Sequence, residues 1–548
     1  MANSIKYNTS NESNALTIGN MHIGTGDIPK GPTSSTGFYN GINPPNGGYT
    51  IYIHKTTEGS SILLPTNDAE LIVMTNQIAG ASYTTINECF NYFAGQSGKF
   101  VIHNPIPPFI TSDLRFSIDS RILPSYPRNG STLYDLSGYN NNWTPLTNVV
   151  FNGQSFEFNG TTSYMQDTVS SFNPDSAPNV MEVLFKPMDL GSRQQAIFSD
   201  NWGPEYGVWI NSSNNLQGAA YTSVSTSNIQ VGRWYYAVLN VQPGATRSST
   251  DQTYLQFYVN GQFIGENNSN TGNGMNDQPF SLGFDYKSNN PAAFFSGSIA
   301  SARLSYGQYD QADVNFNYYG GNIVTDGLVG AFDAGNLVSY ESGSIIAYNL
   351  TGSETGDLDN GVDFSSENGG IWDFDGVDDQ IDFGNPSSLS NAQVTVTFWY
   401  NPTTLMNSTH NGIINGRTPG GRFCLFWING TTLSTQYRDD SGLSRAAGGV
   451  WTRSQTATGA VSTANQWYFI QITGNETTDE WRVGVDLNVS TTDFGSQYVD
   501  PDSNQWLLGR RSSAAYDHSK IANLQIYDRI LSQGEIEQNY NANINKFN

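Results

Sequence analysis

The chain has 548 residues, and at about 150 residues per domain this length predicts three or four domains. Its formal net charge is -24, although only 13% of its residues are charged. Such an acidic surface repels phosphate groups, which argues against nucleic-acid partners and against anionic membrane surfaces. No stretch approaches the roughly 18 apolar residues of a membrane span, so we expect no membrane insertion.

The beginning of the chain carries no secretory signal, because Met1 is followed by no basic segment and no apolar run. We therefore expect a protein that stays inside the cell or is released by another route, such as lysis. Cys89 and Cys424 fall in different predicted domains and offer no disulfide framework. The five histidines are scattered without metal-ligand spacing.

The first 50 residues are rich in Gly, Asn, Ser, Thr and Pro, which leaves little room for helix. Short strands at 21–23 and 49–53 are one interpretation of this stretch. An extended arm that becomes ordered against a partner is the other. We favour the arm.

Two short helices are predicted next. Asn67 with Glu70 begins the first, and a capping box at 85–88 begins the second. A Pro-rich connector at 104–108 then fixes an extended spacer. Residues 1–110 are therefore predicted to be a small α+β anchor module, an arm plus a helical hairpin that docks into a larger assembly.

The rest of the chain is predicted to contain two copies of one domain. In the closing segment 521–540, Ile521, Asn523, Gln525 and Tyr527 alternate with Ala522, Leu524 and Ile526, and a helical turn begins at Ser532 with Glu535 three residues on. The same order of strand and cap recurs at 297–317. Further correspondences pair 114–136 with 328–350, 156–160 with 372–376, 183–185 with 396–399, 206–211 with 424–429, and 233–236 with 466–469.

Both copies carry strand signals at short spacing. Leu255, Phe257 and Val259 alternate with polar residues and lead into the hairpin turn Asn260-Gly261, while 481–489 alternates strictly. The fold prediction is mainly β, with two tandem antiparallel β-sandwich domains at 111–321 and 322–548 behind the anchor module.

The segment 374–379 with Ile381 and Phe383, the pair Trp467-Tyr468 and the closing 521–540 resemble the concanavalin A-like lectin/glucanase superfamily, in particular its laminin-G-like jelly-roll modules. The resemblance covers about 111–321 and 325–548. It implies jelly-roll domains that bind or cleave carbohydrate. The segments 20–48 and 77–95 also resemble the N-terminal parts of structural proteins of tailed marine bacteriophages.

Glucanases of this superfamily carry Glu-x-Asp-x-x-Glu on one strand, so that alternation places the carboxylates beside the sugar. No Glu of this chain has Asp two positions on, and we expect no enzymatic activity. The nearest substitute is Asp373 with Asp375, for which a solvated strand face is the simpler interpretation.

Asp378, Asp379 and Asp382 are candidate calcium ligands, because oxygen-rich loops suit that hard cation. Ordinary turn chemistry explains the same residues. We expect no other cofactor.

Sugar binding needs aromatic platforms next to hydrogen-bonding side chains on an open surface. The loops offer eight candidates for carbohydrate binding: Trp202, Tyr206, Tyr286, Asn289, Tyr437, Asp439, Trp451 and Tyr516.

These observations predict a virion structural and adhesion protein of the fibre, head-fibre or decoration type. Residues 1–110 would bind other virion proteins, and the two sandwiches would bind host-surface glycans at the virion surface. A homo-oligomer is expected, with a trimer as the candidate state. The alternatives are a glycan-cleaving enzyme on the same fold and an architectural decoration protein without a ligand.

Overall fold

A computed structural model gives the fold. The chain divides into two compact units, Met1–Gly321 and Asn322–Asn548. The structure describes residues 4–6, 16–18, 21–24, 50–53, 61–63, 82, 84, 100–103 and 113–547, the last with gaps at 123–124, 127–130, 140, 144–145, 168, 170–171, 174–176, 201–205, 228, 244–252, 270–278, 288–289, 292, 406–411, 430–431, 440–452, 458–460, 478–479, 490–491, 495–504 and 513–514.

The front of the chain contributes six short strands to the described residues. They form one pair and one four-stranded sheet: β1 (Ser4–Lys6) with β5 (Ser61–Leu63), and β2 (Leu16–Ile18), β3 (Met21–Gly24), β4 (Thr50–Ile53) and β6 (Phe100–His103). Strands are thus present at 21–24 and 50–53, the two places where the sequence was compatible with either short strands or an extended arm. The predicted helical hairpin lies outside the described residues.

The first sandwich has a larger and a smaller antiparallel sheet. In pairing order, the larger sheet contains β18 (Gln262–Ser269), β17 (Thr253–Val259), β16 (Tyr235–Gln242), β11 (Asn179–Pro187), β22 (Ser296–Tyr306), β9 (Phe156–Asn159) and β8 (Val150–Phe151), with β7 (Leu114–Asp119) also paired to β22. The smaller sheet contains β10 (Met165–Asp167), β19 (Phe280–Leu282), β12 (Gln195–Ser199), β13 (Tyr206–Ile210), β14 (Leu216–Ala220) and β15 (Thr222–Thr226). A separate hairpin joins β20 (Tyr286–Lys287) and β21 (Asn290–Pro291).

The second sandwich repeats this plan. Its larger sheet contains β26 (Asp363–Ser365), β27 (Ile371–Asp375), β41 (His518–Tyr527), β29 (Gln393–Pro402), β34 (Tyr468–Asn475), β35 (Glu480–Val485) and β36 (Asn488–Val489), with β23 (Leu328–Phe332) also paired to β41. The smaller sheet contains β24 (Ile346–Tyr348), β25 (Thr355–Asp359), β28 (Gln380–Asp382), β38 (Leu507–Leu508), β30 (Gly412–Thr418), β31 (Gly421–Asn429), β32 (Thr432–Asp439), β33 (Arg453–Ala457) and β37 (Thr492–Phe494). A short hairpin joins β39 (Arg510–Ser512) and β40 (Ala515–Tyr516), and two 3-10 turns cover Glu367–Gly369 and Ser387–Leu389. The mainly β fold class is confirmed.

Alternation along the strands builds the two cores. In β9, Phe156 and Phe158 are buried while Glu157 and Asn159 are exposed. Because successive side chains point to opposite faces of a strand, each such segment gives one face to the core and one to water. Burial of an aromatic or aliphatic side chain of this kind contributes about 1.5–3 kcal/mol, and both sandwich interiors consist of such residues.

The closing strand of each sandwich departs from the alternation read from the sequence. Ile521, Leu524 and Ile526 face the core, and Asn523 between them has a φ of 52°. The pairing of β41 with β29 is irregular at this point, so a bulge moves Ile521 to the face opposite to the predicted one. The first sandwich has the same spacing, with Ile299, Ala302 and Leu304 in its core and a register shift in β22.

The proposed match of 206–211 with 424–429 is wrong by one residue. Tyr206, Val208 and Ile210 face the core of the first sandwich, whereas Phe423 and Leu425 face the core of the second. A slip of one residue exchanges the two faces of a strand. Sequence similarity alone therefore aligned residues that lie on opposite faces.

The turns follow the expected chemistry with one difference. Asn260 and Gly261 both have positive φ, at 50° and 75°, which confirms the predicted two-residue hairpin between β17 and β18. In the second copy, Asp486 and Leu487 also have positive φ, at 47° and 67°. The alternation predicted through 489 is thus interrupted after β35 by a turn.

A helix follows the closing strand of each unit. The first, α1 (Gln311–Tyr319), begins with a capping box between Asp310 and Asp313 and ends at Gly320, which has a φ of 71°. The second, α2 (Gln533–Phe547), begins after Ser532 and extends further than the turn predicted to 540. Among the described residues, neither helix has the length and apolarity needed to cross a membrane.

Candidate functional site

The loop between β27 and β28 brings three carboxylates together at the edge of the second sandwich. Asp375 ends β27, Gly376 turns the chain with a φ of 77°, and Asp378 and Asp379 follow. Carboxylate oxygens of the three aspartates lie within 4.8 Å of one another. Asp375 and Asp378 are exposed, whereas Asp379 is buried. We call residues 375–379 the acidic rim loop.

Hydrogen bonds hold the acidic rim loop in this shape. Asp379 Oδ2 accepts from the backbone N–H of Asp375 at 2.8 Å, and Asp375 Oδ1 accepts from that of Val377 at 2.7 Å. Burial and the neighbouring charges of Asp375 and Asp378 raise the pKa of Asp379 to about 6, against the lowering effect of its backbone hydrogen bond. A cation beside the three carboxylates would relieve this repulsion.

The donor set fits calcium. All three groups are hard oxygen donors, and Ca²⁺ takes six to eight oxygens from carboxylates, carbonyls and water. Three carboxylates would supply part of such a shell, which leaves positions for water or for sugar hydroxyls. The acidic rim loop is thus suited to hold Ca²⁺ through these three residues.

The equivalent loop of the first sandwich is neutral. Asn159 stands at the position of Asp375, and its Oδ1 accepts from the backbone N–H groups of Thr161, Thr162 and Ser163 at 2.8–3.1 Å. Thr162 and Ser163 replace Asp378 and Asp379 in this alignment. The turn therefore closes without charge in one copy, and turn chemistry alone does not require the carboxylates of the other.

The structure corrects the predicted metal ligands at one position. Asp378 and Asp379 belong to the acidic rim loop, but the third member is Asp375 and not Asp382. The carboxylate of Asp382 instead accepts from the backbone N–H of Gly384 at 2.7 Å. Asp382 lies on β28, beyond the loop, whereas the turn at Gly376 brings Asp378 and Asp379 back towards Asp375.

The strand pair Asp373 and Asp375 lies as expected on the face opposite to Trp372 and Phe374, which are buried. Asp373 is 3.9 Å from Lys520 Nζ on the neighbouring strand. Burial raises the pKa of Asp373, and the charge of Lys520 opposes that shift. These contacts support the interpretation as a solvated strand face.

Two of the eight carbohydrate candidates are core residues. Tyr206 is fully buried and its hydroxyl donates to Asn179 Oδ1 at 2.6 Å. Tyr437 is buried against Trp481, with the ring centroids 4.9 Å apart and the planes at 11°. The prediction that these rings form open platforms is corrected, since both belong to the inward face of their strands.

Tyr516 is half-buried and is linked through Arg510 to Gln380. The Arg510 guanidinium stands 5.3 Å from the centre of its ring, and Arg510 Nη1 donates to Gln380 Oε1 at 2.7 Å. Gln380 directly follows Asp379. The side chains of the remaining five candidates, Trp202, Tyr286, Asn289, Asp439 and Trp451, lie outside the described residues.

Two exposed aromatic rings were missed by sequence reasoning. Tyr134 is 42% and Tyr139 is 41% exposed, and both lie in the loop that follows β7. Their surroundings, Ser137-Gly138 and Asn140-Asn141-Asn142, are typical of an exposed turn. These turn-forming residues predict an exposed loop, but they do not show whether Tyr134 or Tyr139 is held in a fixed position.

Comparison with known families identifies both sandwiches. The model of laminin-G-like domains, described as the concanavalin A-like lectin/glucanases superfamily, matches residues 159–315 and 375–537. Each match begins at the rim loop of its copy, at Asn159 and Asp375. No curated protein matches the chain.

Solved structures with related folds come from several sources. Domain 4 of an arabinanase from Geobacillus stearothermophilus, in complex with arabinotriose, is 15% identical, covers 37% of this chain and 97% of its own, and has a TM-score of 0.26. A botulinum neurotoxin type C structure, described as entering cells through two ganglioside molecules, is 12% identical, with 76% and 94% covered and a TM-score of 0.32. A Ruminococcus gnavus sialidase module bound to α2,3 sialyllactose is 14% identical, with 30% and 94% covered and a TM-score of 0.23.

Proposed function

We propose that this chain, which belongs to the concanavalin A-like lectin/glucanases superfamily, is a virion adhesion protein whose two sandwiches attach to host-surface glycans. Residues 1–110 dock into other virion proteins in this proposal, and the sandwiches are displayed outward. A fibre, a head fibre and a decoration protein all fit this arrangement.

The observation that carries the proposal is that each sandwich completes its own core. In the first, Tyr318 of α1 stacks on Tyr236 of the larger sheet, with ring centroids 5.9 Å apart. In the second, Phe547 of α2 stacks on Trp399 at 4.7 Å. Each helix thus packs on the outer face of its own larger sheet, which supports the display of both modules in this proposal.

The strength of attachment through such modules depends on how many of them one particle carries. A single sugar contact is weak, but many copies on one particle raise the effective concentration of the remaining sites once the first has bound. A homo-oligomer, with a trimer as the candidate state, would already supply six sandwiches. The formal net charge of -24 favours the solubility of the displayed modules.

The experiment that tests glycan binding is an array of bacterial surface polysaccharides and oligosaccharides, probed with the full chain. We expect binding to a defined subset. Silence on the array, together with loss of particle stability when the protein is removed, would favour an architectural decoration protein.

The rival function is glycan cleavage on the same fold. One observation favours it, because Asp379 with a pKa of about 6 lies beside a second carboxylate, as a general acid would. Against it, Asp379 is buried and bonded to its own loop. We expect no release of reducing sugar from polysaccharides that the protein binds; release that is lost in Asp379→Asn would support the enzyme.

The docking of residues 1–110 has its own test. Intact particles labelled with an antibody against these residues should stay unlabelled, because the segment is covered by neighbouring subunits. An antibody against the sandwiches should label them. The reverse pattern would contradict the proposed orientation.

A further inference from the structure

A column of stacked groups connects the surface of the first sandwich with its core. The Arg115 guanidinium lies between the rings of Tyr139 and Tyr306, 4.8 Å from the centre of each. Tyr306 in turn stacks on Phe172, with centroids 5.1 Å apart and planes at 18°. The column begins at Tyr139, which is 41% exposed, and ends at Phe172, which is buried.

Hydrogen bonds fix the outermost ring. Arg115 Nη1 donates to the Tyr139 hydroxyl at 2.7 Å, and the backbone N–H of Tyr139 donates to Ser137 Oγ at 3.3 Å. Ser137 Oγ and Asn141 Nδ2 both donate to the carbonyl of Arg115, at 2.9 Å and 2.8 Å. The loop is therefore tied to β7 on both sides of Tyr139, and the ring is held before any ligand arrives.

We propose that the open face of Tyr139 is a stacking platform for a sugar ring, which deepens and rests on the glycan-binding function proposed above. The guanidinium stands over this ring, 4.8 Å from its centre, while 41% of the residue is exposed. A pyranose presents an apolar C–H face that packs on such a ring. Because the ring is already ordered, binding loses little side-chain entropy.

The charges around the platform favour an uncharged sugar. The one positive group in the column, Arg115, is 3.7 Å from the carboxylate of Asp113, which is exposed. This pairing offsets its attraction for an acidic sugar, and the chain as a whole is strongly acidic. The ligand class is thus a neutral pyranoside, held by stacking and by hydroxyl contacts.

The platform belongs to the first sandwich only. By the strand pairings of β7 with β22 and of β23 with β41, the positions of Arg115 and Tyr306 correspond to Val329 and Asp528. Neither can form the column. The second sandwich has the acidic rim loop instead, so the two copies carry different surface chemistry on one fold.

The test measures binding of soluble sugars to the full chain by calorimetry. The probes are maltotetraose, cellotetraose and mannotetraose as neutral sugars and α2,3 sialyllactose as a charged one. We expect a neutral sugar to bind, and to bind equally at 50 and 500 mM NaCl. Tyr139→Ala should weaken this binding about tenfold, as loss of one stacked ring would.

Two further variants make the result specific. Tyr139→Phe keeps the ring and should bind within about threefold of the wild type. Tyr134→Ala, which removes a tyrosine of the same loop and of similar exposure, should change the affinity less than twofold. Matching unfolding temperatures of the two alanine variants would show that the loop remains folded.

The possible results distinguish failure of the Tyr139 platform from failure of glycan binding as a whole. If a neutral sugar binds equally well to Tyr139→Ala, or if sialyllactose alone binds, the platform is wrong while glycan binding stands. If the wild-type chain binds neither these sugars nor any glycan of the array, both proposals fall.

Discussion

Glu182 and Arg303 are paired directly across two neighbouring strands, β11 and β22, and their side chains approach to 3.5 Å in the interior of the first unit. The equivalent positions in the second unit hold Thr397 and Gln525, whose side chains are 3.0 Å apart. One copy of the fold thus uses a buried charge pair where the other uses a neutral hydrogen bond.

The charge pair is part of the attachment of α1. Glu182 also accepts hydrogen bonds from the hydroxyls of Tyr236 and Tyr309 and from Asn317 Nδ2 of the helix. Buried charges are tolerated only when they are paired and hydrogen-bonded. The carboxylate therefore organises the contact between the larger sheet and its covering helix.

Replacing Glu182 with Ala should destabilise the first unit by about 3–5 kcal/mol, because the change removes one member of a buried ion pair. Hydrogen exchange measured by mass spectrometry reports the two units separately and would show faster exchange in β11, β22 and α1. The matched control, Thr397→Val in the second unit, should lose about 1 kcal/mol. Equal effects of the two changes would contradict the role of the charge pair.

The N-terminal cap of α2 is formed by Ser532 and Glu535, which are hydrogen-bonded to each other. This cap should make the stability of the second unit depend on pH in the acid range. Hydrogen bonds from Arg529 lower the pKa of Glu535 to about 2, well below its unfolded value. The cap is therefore fully stabilising above about pH 4.5 and is lost as the pH falls towards 2. Glu535→Gln should lower the free energy of unfolding by about 0.5–1 kcal/mol at pH 7, since the pair is partly solvated, and by almost nothing at pH 2.

The control for this prediction is Glu537→Gln, which changes an exposed carboxylate of the same helix. Urea unfolding at pH 7 and pH 2 compares the two variants. A loss of the same size for both, or one that persists at pH 2, would show that the cap does not provide this stability.

Phe547 should be a principal attachment point of α2. Its ring packs against Trp399 and Trp467, with both pairs of centroids 4.7 Å apart. Phe547→Ala should cost about 3–5 kcal/mol, as for other buried aromatic rings. Ile345→Ala, at a side chain that is 72% exposed in the same unit, should change the unfolding free energy by less than about 0.5 kcal/mol. Similar losses for both variants would contradict this packing role.

Calcium should bind at the acidic rim loop. We expect added Ca²⁺ to raise the unfolding temperature of the second unit and chelator to reverse the effect. The double change Asp375→Asn with Asp378→Asn should abolish calorimetric binding, whereas Asp382→Asn should retain it. Retained binding in the double variant would place the ion elsewhere.

Much of the fold could be predicted from the sequence because its signals are local. The alternation of Leu255, Phe257 and Val259, the Asn260-Gly261 turn and the Ser532 cap each depend on neighbouring residues, and the structure confirms all of them. The repeat then follows, because the same local signals recur in the same order.

The sites could be predicted only in part because they depend on contacts distant in sequence. Every residue of β13 is buried, so this strand has no exposed face that alternation could reveal, and the composition of the segment does not distinguish Tyr206 from a surface ring. Arg115, Tyr139 and Tyr306 meet only after β7 pairs with β22. Bulges such as the one at Asn523 add or remove one residue and thereby exchange faces without a clear sequence signal.

The central claim is that the protein attaches to glycans. The most direct measurement is binding of the full chain to immobilised bacterial surface polysaccharides, before and after mild periodate oxidation, which cleaves the vicinal diols of sugar rings. Our account predicts saturable binding that oxidation abolishes. Binding that survives oxidation, or no binding to any surface polysaccharide, would contradict it.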